Sequence, residues 1–364
     1  MNFELTSTFT QSFSILMAVI FFFGTLLLWP KLYRKGLVNL GVRFLVMVLT
    51  LTLCIVSIGI SVNKSQGFYS SWSDLFGQTV DFKTTAITNS NLTRIDNSFI
   101  KQAKPIGADL YLLKDVITGK DSQVSNVVYL VLPATAINKI KAGQNLDPKN
   151  YQVTEFLTGF PSQPEMWLKS LKVEQEISTF NSAHAKQIIG VVPQINIAGN
   201  YDLECLNLSN GQPDAETWLT QDMHTYVNTR LGLPDSRWMA IGVSTGAWCA
   251  SMFSMKHPDL YVGAVSIAGY YRPALPLKDP ISLQNAMIAK YDVGKMEAKL
   301  TSVVPIYMVA SRGDIYSYRE TTRFLAKAHP MLNINYIEIA TGGHNPKVWK
   351  SSILPGLDWL SSFN

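Results

Sequence analysis

Between Glu4 and Lys31 the sequence has no charged residue, and a second uncharged stretch runs from Phe44 to Asn63. The deficit is local. Charged residues make up 16% of the whole chain and hydrophobic ones 47%, and these two stretches account for much of that tilt. Their apolar bodies, Phe13–Trp29 and Leu45–Val62, each approach the roughly 20 residues that cross a hydrocarbon layer about 30 Å thick. The first lacks the basic segment that opens a secretory signal, and no small-residue cleavage site follows Pro30. Two such runs in tandem predict a transmembrane hairpin within residues 1–63, with spans at about 13–30 and 44–62. Lys31, Arg34, Lys35 and Arg43 lie between them with no acidic residue. Basic residues stay on the cytoplasmic side, so both chain ends and everything after Lys64 are expected outside.

Cysteine and histidine are scarce too. Of three cysteines, Cys54 falls in the second span, leaving Cys205 and Cys249 as one possible disulfide in an oxidising compartment or as two buried thiols. There is no C-x-x-C and no Cys/His cluster, so neither a structural zinc site nor any other metal or cofactor is expected. The net charge of +5 lies partly in the loop between the spans, and no basic-aromatic stripe calls for a nucleic-acid partner. Internal repeats and low-complexity tracts are absent.

Residues 64–105, rich in Ser, Thr, Asn and Asp, read as a juxtamembrane stalk. From about Ile106 the pattern changes. Short β-branched runs appear at Val127–Leu132, Val153–Leu157, Gln187–Val192, Trp238–Gly242, Gly263–Ile267, Pro305–Val309 and Asn335–Ile339. Helix-length stretches separate them: Glu165–Leu171, Ala215–Thr229, Thr245–Lys256, Leu283–Ala289 and Tyr318–Ala328. This alternation predicts one α/β domain over 106–364, a three-layer sandwich with a mostly parallel sheet.

Gly242-Val243-Ser244-Thr245-Gly246 is a G-x-S-x-G sequence, frequent by chance and informative only in context. Here an expected strand enters it and an apolar helix leaves it, the setting in which a strained turn lifts a serine hydroxyl above a sheet. A serine needs a base to become a nucleophile, and there are five histidines. His257 and His329 each precede proline at a helix end, His224 falls inside a helix and His184 precedes a strand. His344 alone sits in a glycine-hinged loop, Ala-Thr-Gly-Gly-His-Asn-Pro, after the last strand. Asp314, in Ala-Ser-Arg-Gly-Asp after the Pro305–Val309 strand, is the matching acid, in the order Ser, Asp, His. Glu320 and Asp292 are its rivals, one inside the following helix and one before the strand. For the oxyanion, the N–H of Thr245 supplies one donor. The loop Thr158-Gly159-Phe160-Pro161-Ser162 offers the Phe160 N–H as the other, since proline has none.

These residues together resemble the esterase family of the α/β-hydrolase fold that includes esterase D and the mycolyltransferases of the antigen 85 complex. The likeness covers roughly residues 105–360. It rests on Thr158-Gly159-Phe160, Asp202-Leu-Glu-Cys205, Glu216-Thr-Trp-Leu-Thr220, Gly242–Cys249, and Gly343-His344-Asn345 with Trp349. The resemblance implies Ser244, Asp314 and His344 as a catalytic triad, Phe160 and Thr245 as oxyanion donors, and a Cys205–Cys249 disulfide. Thr158 and Pro161 stand where mycolyltransferases carry charged residues that grip the sugar, so trehalose mycolylation is not implied. Three activities fit: a membrane-anchored serine esterase acting on an ester or acyl-lipid through an acyl-enzyme, an acyltransferase to an envelope glycolipid or polysaccharide, and a non-catalytic envelope scaffold.

Overall fold

Two kinds of apolar pattern divide the chain, long runs of helical length and short strand-length runs. The computed structural model describes residues 3–5, 7–31, 37–66, 72–75, 100–107, 109–199, 201–208, 211–233, 236–276 and 278–364. Arg34, Lys35 and positions 67–71 and 76–99 of the expected stalk lie outside the described residues. Two units result, Met1–Asp81 and Phe82–Asn364.

The first unit holds α1 (Thr8–Leu28), α2 (Leu37–Gln66) and the short α3 (Trp72–Leu75). Ser7 caps α1 by accepting the Thr10 N–H at 3.0 Å, and the helix stops just before Pro30. Both α1 and α2 are long and apolar enough to cross a membrane. Small polar side chains join them: Lys64 to Thr8 at 2.8 Å, Gln11 to Ser61 at 3.4 Å, Ser14 to Ser57 at 3.5 Å and Thr25 to Thr50 at 2.8 Å. These pairs run in opposite directions along the two helices, so the hairpin is antiparallel. Its polar groups are used between the helices, while Phe22, Phe23, Leu27, Leu45, Leu51 and Ile55 face outward.

The second unit is built on nine strands: β1 (Lys104–Ile106), β2 (Leu110–Thr118), β3 (Ser125–Pro133), β4 (Tyr151–Leu157), β5 (Gln187–Pro193), β6 (Trp238–Val243), β7 (Tyr261–Ile267), β8 (Val304–Ser311) and β9 (Leu332–Ile339). They form one sheet in the order β1-β2-β3-β5-β4-β6-β7-β8-β9. The first three junctions are antiparallel, and from β5 to β9 every junction is parallel. The helices are α4 (Ala134–Lys141), α5 (Val173–Ala183), α6 (Met223–Leu231), α7 (Thr245–Lys256), α8 (Ile281–Lys290), α9 (Val293–Glu297), α10 (Ile315–Leu325), α11 (Pro346–Lys350) and α12 (Ile353–Ser361).

Alternation along each strand fills two cores. On β6, Trp238 and Ala240 enter one core and Met239, Ile241 and Val243 the other; on β3, Val128, Leu130 and Leu132 oppose Tyr129 and Val131. Helices α4, α6, α7 and α10 cover the first face, and α5, α11 and α12 the second. Strands buried on both faces carry apolar residues without interruption, which is why they are legible as solid runs. Strand β2 is not, because Lys114 and Asp115 break its apolar sequence. Lys114 lies over the Tyr129 ring, 5.0 Å from its centroid, and Asp115 accepts from Tyr226 Oη. Helix α5 is polar except for Val173, Ile177 and Phe180, one stripe at helical spacing. The stretch expected as a helix at Glu165–Leu171 is a single wide turn, Met166–Ser170. Ile100 is already buried in the core, so the fold begins ahead of residue 106.

Cys205 and Cys249 form a disulfide spanning 44 residues, which ties the loop after β5 to α7. Cross-linking a loop of that length restricts the unfolded chain by about 2–4 kcal/mol. The double variant Cys205→Ser/Cys249→Ser is therefore expected to lose stability of that order in urea unfolding, and an unchanged midpoint would contradict it.

Candidate active site

Ser244 closes β6 in a conformation of φ 56° and ψ −122°. A residue with a side chain holds a positive φ of this kind only where its surroundings impose it. The imposition comes from packing. Every residue of α7 from Thr245 to Met255 is buried, and the helix starts so close to β4 that a Cβ on Gly246 would lie 2.2 Å from the Leu157 carbonyl oxygen. Only glycine fits there. The turn between β6 and α7 is thereby forced sharp, and the half-buried Ser244 hydroxyl projects from it.

The expected base and acid, His344 and Asp314, arrive by strand pairing. Parallel β8 and β9 run in register to Ser311 and Ile339, so the loops that follow them emerge at one edge of the sheet. Ser311 Oγ donates to the Gly342 carbonyl at 2.5 Å, and the Arg312 N–H donates to the Ile339 carbonyl at 2.9 Å, locking the two loops together. His344 then reaches both partners: Ser244 Oγ lies 2.9 Å from its Nε2, and Asp314 Oδ2 lies 2.5 Å from its Nδ1. Asp314 also caps α10, taking the Ser317 hydroxyl at 2.7 Å and its N–H at 3.4 Å. Burial pushes its carboxyl up, and the hydrogen bonds from His344 and Ser317 outweigh that, holding it below the usual carboxylate range. Trp349 stands edge-on to the imidazole, 4.9 Å between ring centres. The imidazole side chain is 41% exposed, so this end of the row meets solvent.

The loop after β4 lies against the serine. A Cβ on Gly159 would sit 2.9 Å from Ser244 Cβ and 3.5 Å from its Oγ, so no larger residue could bring the neighbouring Phe160 backbone so near. Asn196 Nδ2 fixes this loop through the Ser162 carbonyl at 2.5 Å. Neither the Phe160 nor the Thr245 N–H has a hydrogen-bond partner among the described residues, leaving both free for a ligand oxygen.

The other candidates lie elsewhere. Glu320 is buried among arginines, 2.7 Å from Arg323 and 3.5 Å from both Arg272 and Arg319. Asp292 caps α9. His224 is stacked on Trp238 at 3.6 Å, and burial together with the charge of nearby His257 lowers its pKa to about 3. His184 stacks on Phe180 at 3.9 Å, and His329 Nδ1 accepts the Met331 N–H at 3.2 Å.

No family model matches the chain, and no curated protein matches it in sequence. Solved structures do match. A ferulic acid esterase is similar at a TM-score of 0.56 and 16% identity, covering 71% of this chain and 100% of that one. An S-formylglutathione hydrolase from Agrobacterium tumefaciens matches at 0.56 and 11%, covering 71% and 97%. The fluorophosphonate-binding serine hydrolase F of Staphylococcus aureus, substrate bound, matches at 0.55 and 12%, covering 71% and 100%. The second unit has the α/β-hydrolase fold. Within this fold the sequence motifs gain a physical reading, Glu216 above all.

Glu216, from the Glu-Thr-Trp-Leu-Thr segment, clamps the far end of α7 by accepting from His257 Nε2 at 2.7 Å, Lys256 Nζ at 2.5 Å and Tyr291 Oη at 2.6 Å. Spacing alone gave no sign of that clamp, because its partners are distant in sequence. Burial raises the Glu216 carboxyl, but the bonds from His257, Lys256 and Tyr291 overcome it and bring the pKa from 4.5 down to about 2. A carboxyl with a lowered folded pKa stabilises the fold above its unfolded value and loses that effect as pH falls through the folded one. Acid unfolding of the wild-type protein is thus expected to steepen between pH 4.5 and about 2, and Glu216→Gln to flatten that window; identical acid profiles would refute the clamp.

Proposed function

We propose that this protein is a membrane-anchored serine ester hydrolase whose catalytic domain lies outside the cytoplasmic membrane. The observation that carries the proposal is the unbroken hydrogen-bonded row from Ser244 through His344 to Asp314. Ser244 Oγ attacks the ester carbonyl carbon while its proton passes to His344 Nε2. Asp314, kept ionised, accepts from Nδ1 and stabilises the imidazolium that forms. The negative oxygen of the tetrahedral intermediate takes the N–H groups of Phe160 and Thr245, at the start of α7, where the helix end adds positive potential. Collapse breaks the bond to the leaving alcohol, which takes the proton from His344. Water then gives a proton to His344, attacks the acyl carbon and releases the acid, and the proton returns to Ser244 Oγ.

The exposure of the imidazole favours water as the second nucleophile over a bulky acceptor, because hydrolysis needs solvent at Nε2. The names of the matched structures, a ferulic acid esterase and an S-formylglutathione hydrolase, belong to the same chemical class of ester and thioester cleavage. The anchor reading rests on the outward-facing apolar rims of α1 and α2, and the orientation on Lys31, Arg34 and Lys35 between them with Arg43 in the second turn of α2. The Cys205–Cys249 disulfide suits an oxidising compartment.

A fluorophosphonate probe is expected to label the wild-type protein and not Ser244→Ala. Hydrolysis of a short-chain p-nitrophenyl ester should fall at least about 10³-fold in Ser244→Ala and in Asp314→Asn. An unlabelled wild-type protein would sink the serine mechanism. Products analysed with a sugar acceptor present should remain the free acid, and an acylated sugar would convert the proposal to acyl transfer. In intact cells, added protease should digest residues beyond Lys64 while sparing a tag placed between the two spans; protection of the catalytic domain would overturn the orientation.

A further inference from the structure

Beside the serine, a second row of oxygen atoms links two acids through two hydroxyls. Asp202 and Glu204 come from the loop after β5, Thr245 opens α7, and Tyr270 follows β7. Thr245 Oγ1 is 3.3 Å from Asp202 Oδ2, Tyr270 Oη is 3.1 Å from Thr245 Oγ1, and Tyr270 Oη is 2.7 Å from Glu204 Oε1. For all three contacts to be hydrogen bonds, each needs a hydrogen between its oxygens. Thr245 and Tyr270 own one apiece. With both acids ionised, those two hydrogens would point outward to the carboxylates, and the hydroxyl oxygens would face each other with lone pairs only. The third hydrogen must come from a carboxyl.

Glu204 is the group suited to keep it. It is 2% exposed, its Oε2 is buried without a well-formed hydrogen bond, the Ala274 N–H is the backbone donor to its carboxyl, and among the described residues no Lys or Arg pairs with either acid. A bare carboxylate oxygen in a dry site is costly, whereas a neutral acid is much less so. Burial, and then the charge of Asp202, push the Glu204 carboxyl well up; burial lifts Asp202 less, to about 6, since the Glu204 N–H and the Thr245 hydroxyl bond to it. The other groups facing the row carry no compensating charge. They are Tyr201 of the same loop, hydrogen-bonded to Asp279, and Tyr316 of α10, whose ring centre is 6.0 Å from that of Tyr270. Arg272 is committed to Glu320.

The loop is built for this. Glu204 and Cys205 both hold positive φ, at 55° and 58°, and the disulfide pins Cys205 to Cys249. Cys249 lies four residues after Thr245, on the same face of α7. Sulfur and hydroxyl thus hold one strained loop against one helix face.

We propose that Asp202 and Glu204 share a single proton, resting on Glu204, and that the row Glu204–Tyr270–Thr245–Asp202 is a positioning device for the Thr245 N–H that faces the oxyanion. The proposal rests on the serine-hydrolase reading. Loss of the proton at alkaline pH leaves two negative charges close to the donor of the developing oxyanion and removes the hydrogen between Tyr270 and Thr245. Ester cleavage then slows while the triad stays intact.

The test uses the full-length protein in detergent, with kcat and KM for a p-nitrophenyl ester measured from neutral to alkaline pH. Wild type is expected to lose kcat on the alkaline side. In Glu204→Gln the amide donates permanently to Tyr270, so kcat drops only about threefold at neutral pH and its alkaline fall disappears. Glu204→Ala and Tyr270→Phe break the row and lower kcat about tenfold at every pH with KM little changed. An alkaline limb in Glu204→Gln identical to that of wild type overturns the proposal. Infrared difference spectra between wild type and Glu204→Gln read the proton without any turnover, and the protonated-carboxyl band must be lost in the variant; its absence from the difference spectrum also overturns it. Fluorophosphonate labelling of wild type separates the two ideas: no label with the band present defeats the hydrolase reading alone.

Discussion

The contact of Gly246 with the carbonyl groups ending β4 is the constraint on which the rest depends. It sets how near α7 lies to the sheet, and that closeness bends the chain at Ser244 into a conformation it would not choose. The strain is held by an entirely buried helix, whose far end is gripped by Glu216 and whose near end is gripped by the disulfide and Asp202. An elbow this tightly anchored leaves the Ser244 hydroxyl one direction in which to point. Imidazole and carboxylate are then delivered by two parallel strands whose loops are stitched to each other before they reach the serine.

Three acids illustrate how burial is resolved in opposite ways. Glu216 is surrounded by donors and stays strongly acidic; Asp314 is drawn the same way by His344 and Ser317. Glu204 meets the Tyr270 hydroxyl, the Ala274 N–H and another acid, with no cation among them, so neutrality is its cheaper state. The same side-chain chemistry is thus charged at the proposed triad and at the helix clamp, and uncharged in the row proposed beside Thr245.

Much of this was legible in the sequence because the responsible residues are neighbours in it. The doubly buried strands read as solid apolar runs, and Gly242–Gly246 stands between a strand and a helix where the turn is needed. His344 and Asp314 were readable from their position after strands, and the structure brings both to Ser244. What stayed hidden depends on distant pairing. Lys114 and Asp115 disguise β2, since their partners Tyr129 and Tyr226 lie elsewhere in the chain. Helix α5 shows only three apolar residues, and the roles of Glu204 and Tyr270 exist only once β5, α7 and β7 have been folded onto one another. The hairpin was readable for the opposite reason, since its apolar character requires no partner at all.

Strand β9 closes the sheet at its edge, pairing among the described residues only with β8 and half exposed along much of its length. Ser244, the proposed nucleophile, directly follows central β6, so the two halves of the proposed reaction are carried by parts of very different firmness. Fraying begins at such margins, where few neighbours resist it. Warming or mild denaturant would therefore detach His344 first and leave a folded protein with an unpartnered serine, making the proposed catalysis a more fragile property than the architecture that houses it.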